Sequence, residues 1–187
     1  MAILEVRDVS KSFGEEQIIS SISLELHEGE IVSLLGVSGG GKTTLFNVIA
    51  GLSTPNAGSV WLNGEEITGQ PGKVSYMLQK DLLLPYRTIL DNVALPLMVR
   101  GMKKKEAREK ALPYFAEFGL SGTEKKYPAQ LSGGMKQRAA LLRTYLFSEQ
   151  VALLDEPFSA LDMLTKQAIH EWYLDVMEKI HLSTLFI

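Results

Sequence analysis

The run Gly36-Val-Ser-Gly-Gly-Gly-Lys-Thr-Thr44 has the residue types and the spacing to hold phosphate. It fits the pattern G-x-x-x-x-G-K-[ST]. Gly36, Gly39, Gly40 and Gly41 permit tight turns and let backbone N–H groups approach phosphate oxygens with no Cβ in the way, while Val37 and Ser38 complete the loop. A helix starting near Lys42 adds its dipole and its unpaired N–H groups. Lys42 is then placed to contact the β- and γ-phosphates, and Thr43 to put its hydroxyl on Mg²⁺. Thr44, the next residue, is counted with the nucleotide-binding set.

Two further stretches complete the chemistry. "VALLDEP" sets Asp155 and Glu156 just past a buried-strand pattern, at the carboxyl edge of a parallel sheet, where such folds bind ligands. Asp155 suits the Mg²⁺ shell through water, and Glu156 suits a general base that polarises an attacking water. "LSGGMKQR" opens a second glycine-rich helix. Ser132 is a good N-cap, and Gly133 and Gly134 leave N–H groups open to a further phosphate. One chain thus carries two phosphate cradles, more than a single nucleotide obviously needs.

These residues must be held by elements that the patterning outlines. Residues 4–7 and 21–26 alternate, as half-exposed antiparallel strands do. The runs 31–35, 151–154 and 183–187 are nearly continuous apolar stretches, expected as parallel strands covered on both faces, and 73–79 is a further strand. Helices are expected at about 42–51, 88–99, 104–118, 134–147 and 164–180, with 103–110 read as a solvated, charge-paired face. The fold class is α/β: a phosphate-loop NTPase core with an N-terminal antiparallel β subdomain and an inserted helical subdomain at about 80–147. The 187 residues carry a formal net charge of −3 and no cysteine. That gives no basic footprint for direct nucleic-acid binding. No apolar run approaches the roughly 18 residues of a membrane helix, and the N-terminus does not read as a signal peptide.

With "GVSGGGKTT", "LSGGMKQR", "VALLDEP" and "SALD" together, the chain resembles the ATP-binding cassette family, the ATPase subunits of ABC transporters, over essentially its whole length. The resemblance implies that two copies pack head to tail, each ATP lying between one copy's phosphate loop and the other's signature at Ser132–Gly134. It also implies that Gln79 senses Mg²⁺ and the attacking water, and that Asp162 in "SALD" belongs to a loop linking the two sites. Phe13 stands where the family often stacks an aromatic on adenine; a core aromatic is the alternative. The region Gln79–Val93 corresponds to the groove that receives a helix of the membrane permease, with subdomain core as the alternative. Tyr127 and Pro128 in "KKYPAQ" correspond to the segment coupling that groove to the signature.

The same resemblance implies a Mg²⁺-dependent ATPase, peripheral on the cytoplasmic face of the membrane and without direct insertion. "LLPYRTILDNVALPL" and "AQLSGGMKQR" are closest in flavour to importers of nitrate, sulfonate and taurine type, pointing to a small anionic or sulfonate-like solute. The family also has a histidine after the strand that here is "STLFI". Neither His170 nor His181 occupies that position, and His27 falls in an expected turn. The expectation is a chain incomplete at its C-terminus that binds ATP and hydrolyses it weakly. The rivals are a soluble cassette ATPase acting on nucleic acid or ribosomes, and a nucleotide-binding regulator that does not hydrolyse.

Overall fold

The computed structural model describes residues 2–148, 150–157, 172–177 and 179–187. They form two compact units, the first from 1–76, 150–155 and 181–187, the second from 77–149 and 156–180. The chain therefore passes from the first unit to the second directly after Tyr76 and again directly after Asp155.

The first unit carries two sheets. One is antiparallel, with strand order β2-β1-β4-β5, built from β1 (Ala2–Phe13), β2 (Glu16–His27), β4 (Ala57–Leu62) and β5 (Glu65–Glu66). In β1, Leu4 and Val6 are buried while Glu5 and Arg7 pair outside, the period-two pattern of a one-sided strand. The phase then changes. Between Val6 and Val9 the register shifts, Asp8 takes φ 48°, and Val9 is buried in turn. The irregular residue is held by side chains: Asp8 N–H donates to Ser23 Oγ (2.9 Å), and the Ser21 and Ser23 hydroxyls donate to its carboxylate. This bulge explains why alternation reveals only 4–7 of a twelve-residue strand.

The β4–β5 hairpin was not anticipated. Its turn is Asn63-Gly64, both with positive φ (51° and 77°), the Asn-Gly sequence that favours a tight hairpin.

The second sheet has order β3-β8-β7-β6, from β3 (Ile31–Ser33), β6 (Ser75–Met77), β7 (Val151–Leu154) and β8 (Ser183–Phe186). β3, β8 and β7 are parallel, and all four residues of β7 are fully buried. β3 departs from expectation, since Ile31 is 40% exposed. Among the described residues it is the outer strand, so only one side of its ladder is paired. Helix α1 (Lys42–Ile49) buries Leu45, Phe46, Val48 and Ile49 in a core shared with Leu4, Leu26, Val60, Val151 and Leu185.

The second unit is helical over most of its described residues. The apolar pattern at 88–99 forms two short helices, α2 (Ile89–Val93) and α3 (Leu95–Val99), and that at 104–118 forms α4 (Lys104–Ala111) and α5 (Tyr114–Glu117). Pro96 and Pro113 sit at the breaks; a proline lacks the N–H that a continuous helix requires. α6 (Gly133–Phe147) is the long element, and Tyr145 packs on Tyr114 and Phe118.

Nor is 103–110 merely solvated. Arg108 grips the buried Asp91 of α2 with two bonds, 2.7 and 2.8 Å, and Lys104 joins at 3.3 Å. The bonded Arg108 guanidinium, aided by Lys104 and opposed by burial, holds the Asp91 carboxyl below its ordinary value. A carboxyl depressed in the folded state stabilises above its unfolded pKa, and this contribution is lost as pH falls through the folded value. Asp91→Asn is expected to cost about 1–2 kcal/mol at pH 7. The gap from wild type should close as pH drops below the carboxylate range, measured by urea unfolding across pH.

Candidate functional site

In the first unit the phosphate-type loop joins β3 to α1. Leu34 N–H still pairs with Phe186 O (2.7 Å), so the loop leaves directly from the sheet. Gly36, Val37, Ser38, Gly39 and Gly40 are all exposed. Gly39 and Gly41 take φ 78° and 82°, which β-carbon-bearing residues rarely adopt. Gly41 caps α1, and a Cβ there would lie 2.7 Å from Ile19 Cγ2 and 3.0 Å from Ile18 O. The loop is therefore seated on β2 at Gly41.

The first intrahelical bond is Leu45 N to Gly41 O (2.9 Å), so the N–H groups of Lys42, Thr43 and Thr44 precede it and face an incoming acceptor. Lys42 Nζ donates to Gly36 O and Val37 O, each at 2.8 Å, which folds its ammonium over the loop. Thr43 is exposed and Thr44 half-buried.

Directly after β7 comes Asp155, 8% exposed, whose carboxylate accepts from the Tyr76 hydroxyl at 3.2 Å. Burial first, and then the Asp155 charge, push the Tyr76 hydroxyl well above its ordinary value, so it remains a donor. Tyr76 was not singled out by the sequence; in a strand it looks like any other aromatic. Thr43 and Asp155 offer hard oxygen donors of the kind Mg²⁺ takes alongside phosphate and water. Their residue types fit that ion.

In the second unit Glu156 follows with φ 44°, a left-handed conformation uncommon for a non-glycine residue. Its Oε2 accepts from Gln79 Nε2 at 3.0 Å, which brings together two residues 77 positions apart. Ser132 caps α6, its Oγ accepting from Met135 N–H at 3.3 Å, and Gly133 and Gly134 form the first turn. Both glycines are accessible.

Phe13 is 56% exposed with Lys11 Nζ 5.1 Å above its ring, which removes the core-aromatic alternative. His27 and His181 are surface residues; His27 closes β2 rather than lying in a turn. Asp162 and His170 lie outside the described residues.

The stretch after Gln79 divides. Leu83, Ile89 and Val93 are buried, as subdomain core is, whereas Leu82, Leu84 and Tyr86 of the same segment are exposed. Asn92, fully buried, fixes the course of this loop. Its Oδ1 accepts from Leu84 N (2.6 Å) and its Nδ2 donates to Leu84 O, Arg87 O and Thr88 O. Backbone bonds from Ile89 N to Lys126 O and Leu90 N to Glu124 O tie the start of α2 to the segment leading into Tyr127, Pro128 and the Ser132 cap.

Residues 19–159 match the ABC transporter family. The chain is 45% identical over 186 residues to the formylaminopyrimidine import ATP-binding protein ThiZ of Halalkalibacterium halodurans, covering 99% of this chain and 72% of that protein. It is 37% identical to the nitrate import ATP-binding protein NrtD of Synechocystis sp., covering 98% and 71%. To the sulfate/thiosulfate import ATP-binding protein CysA of Gloeobacter violaceus it is 38% identical, covering 100% of this chain but only 55% of the relative. MJ1267, solved as an ATP-binding cassette of an ABC transporter, shares the fold with a TM-score of 0.87 at 24% identity, over 100% of this chain and 81% of that one.

Gly41→Ala tests whether the loop's seat on β2 matters. Strain of about 1–3 kcal/mol and the contact with Ile19 should displace the loop. Fluorescent-nucleotide titration is expected to show binding weakened about tenfold or more. Unchanged affinity would mean that the left-handed turn is dispensable.

Proposed function

The chain belongs to the ABC transporter family, and we propose that it is the ATP-binding and ATP-hydrolysing subunit of an importer, working at the cytoplasmic face of a membrane. Among the described residues no helix is long and apolar enough to cross a membrane, so a separate permease would form the pathway. The exposed Leu82, Leu84 and Tyr86 are the apolar surface on which such a permease would dock. The cargo would be a small polar or anionic solute, because the relatives are named for import of formylaminopyrimidine, nitrate and sulfate or thiosulfate. That relatives of comparable likeness differ in cargo supports a reading in which another subunit recognises the solute. Action on nucleic acid is not favoured by those relatives or by the net charge of −3.

The observation that carries the hydrolytic reading is the Gln79–Glu156 hydrogen bond. With Oε2 occupied by the Gln79 amide, Oε1 is the oxygen that would take the proton of an attacking water. Lys42 and the α1 N-terminus would hold the phosphates, Phe13 would stack on the base, and Thr43, Gln79 and Asp155 would hold Mg²⁺. That ion would supply charge neutralisation between the β- and γ-phosphates.

Two copies would pair head to tail, with Ser132, Gly133 and Gly134 of one meeting the γ-phosphate held by the other. A two-fold pair makes both sites equivalent and uses both cradles. Asp162 would lie on the link between the sites.

Glu156→Gln is the direct test. Steady-state turnover should fall at least about a hundredfold, while nucleotide affinity stays within about twofold. Turnover at the wild-type level would remove Glu156 from the role of base.

A further inference from the structure

Arg143 is an isolated charge in an otherwise apolar stretch of α6, between Leu142 and Thr144. Among the described residues its guanidinium makes no ion pair with a carboxylate. Nη2 donates to Asp81 O at 2.5 Å and Nη1 to Leu82 O at 2.8 Å, a fork closed on two successive backbone carbonyls. The guanidinium is desolvated by burial, which pulls it below its ordinary value, and the Asp81 charge opposes that. A partly buried cation spent on main-chain oxygens is costly unless the geometry it fixes is needed.

What it fixes is unusual. Leu82 has φ 45°, a conformation leucine rarely adopts, and it persists only where surroundings over-determine it. The Asp81 side chain accepts from Leu83 N–H (3.0 Å), and Asn92 takes the next link at Leu84 N–H. Residues 81–84 are thus pinned from α6 on one side and from α2 on the other. Gln79, two residues before the fork, makes the bond to Glu156.

We propose that Arg143 is a positioning residue for ATP hydrolysis: through Asp81 O and Leu82 O it sets Gln79 against Glu156. The proposal rests on the hydrolytic reading of that pair. It has a mechanical consequence. α6 begins at the Ser132 cap, and Arg143 lies ten residues beyond Gly133, about 15 Å along the same helix. One rigid element therefore joins the cradle offered to a partner's nucleotide with the residue that orients water in the chain's own site. A displacement at the Ser132 end would reach Gln79 through the helix, the Arg143 fork and the chain from Asp81 back to Gln79.

The test compares the wild-type chain with Arg143→Lys and Arg143→Met. Lysine keeps the charge and three donors but has no rigid planar fork, so it does not fix the two carbonyls in one set geometry. Methionine keeps an apolar stem and loses all donors. In both, hydrogen exchange at the amides of 82–84 should quicken by about tenfold or more while α6 keeps its protection. The kcat for ATP should fall about tenfold with KM held within about twofold, since a small misplacement of the orienting group costs rate rather than binding. Wild-type exchange at 82–84, or wild-type kcat in Arg143→Met, overturns the proposal. Loss of protection along the whole of α6 overturns it too, because Arg143 would then be ordinary packing. Glu156→Gln run alongside separates the two readings: turnover that survives in it sinks the role of the pair, while the exchange data still judge the hold of Arg143 on the loop.

Discussion

The parallel pairing of β7 with β8, Val151↔Ser183 through Leu154↔Phe186, is the constraint on which the site depends. All four residues of β7 are wholly buried, so both of its faces are covered and any shift of the strand would have to repack the core on each side. The strand must also end where the sheet ends, and Ile187 N–H closes it on Leu154 O at 3.0 Å. The next residue is a carboxylate with a buried hydroxyl for a partner, and the one after leaves the strand direction in a left-handed turn. Two adjacent acids thereby find different partners, Tyr76 for Asp155 and Gln79 for Glu156. Adjacent acids that share an environment would compete for one role, whereas these are sorted into two.

Around that fixed strand, the functional loops are held by buried polar side chains more than by regular structure. Gly41 seats the phosphate-type loop on Ile18 and Ile19. Asn92 satisfies four backbone groups of the segment at 84–88, and Arg143 satisfies two at 81 and 82. Each such bond contributes only about 1 kcal/mol net, yet leaving its partner unpaired and buried costs more. The loops are therefore determined by what would be lost on departing from one geometry. This is how an exposed segment containing Leu82 and Leu84 keeps a defined shape while offering apolar surface.

The residues of the candidate site are legible because they stand at fixed spacing in the sequence: the glycines and Lys42, the Ser132 cap, the acids after four aliphatic residues. The parallel strands β7 and β8 were legible for a related reason, since continuous burial writes continuous hydrophobicity. Less legible was whatever depends on a break in periodicity. The bulge at Asp8 hid half of β1, and Pro96 and Pro113 divided helices that apolar spacing alone ran together. The Asn63-Gly64 turn is the sequence signal for the β4–β5 hairpin. Asn92, Arg108 and Arg143 were opaque for a deeper reason: a polar residue in a helix has the same letter whether it faces water or a buried carbonyl. Only an arginine alone in an apolar stretch, as at 143, hints at the second case.

The central claim is that the two cradles of this chain hold one nucleotide from two sides, across a pair of copies. Sedimentation velocity of Glu156→Gln, with and without Mg-ATP, addresses it most directly, because removing the proposed base should trap any ATP-closed pair. The account predicts a monomer without nucleotide and a dimer with it. A chain that binds ATP and sediments as a monomer at every nucleotide concentration would contradict it, and would leave the Ser132–Gly134 turn as a helix cap alone.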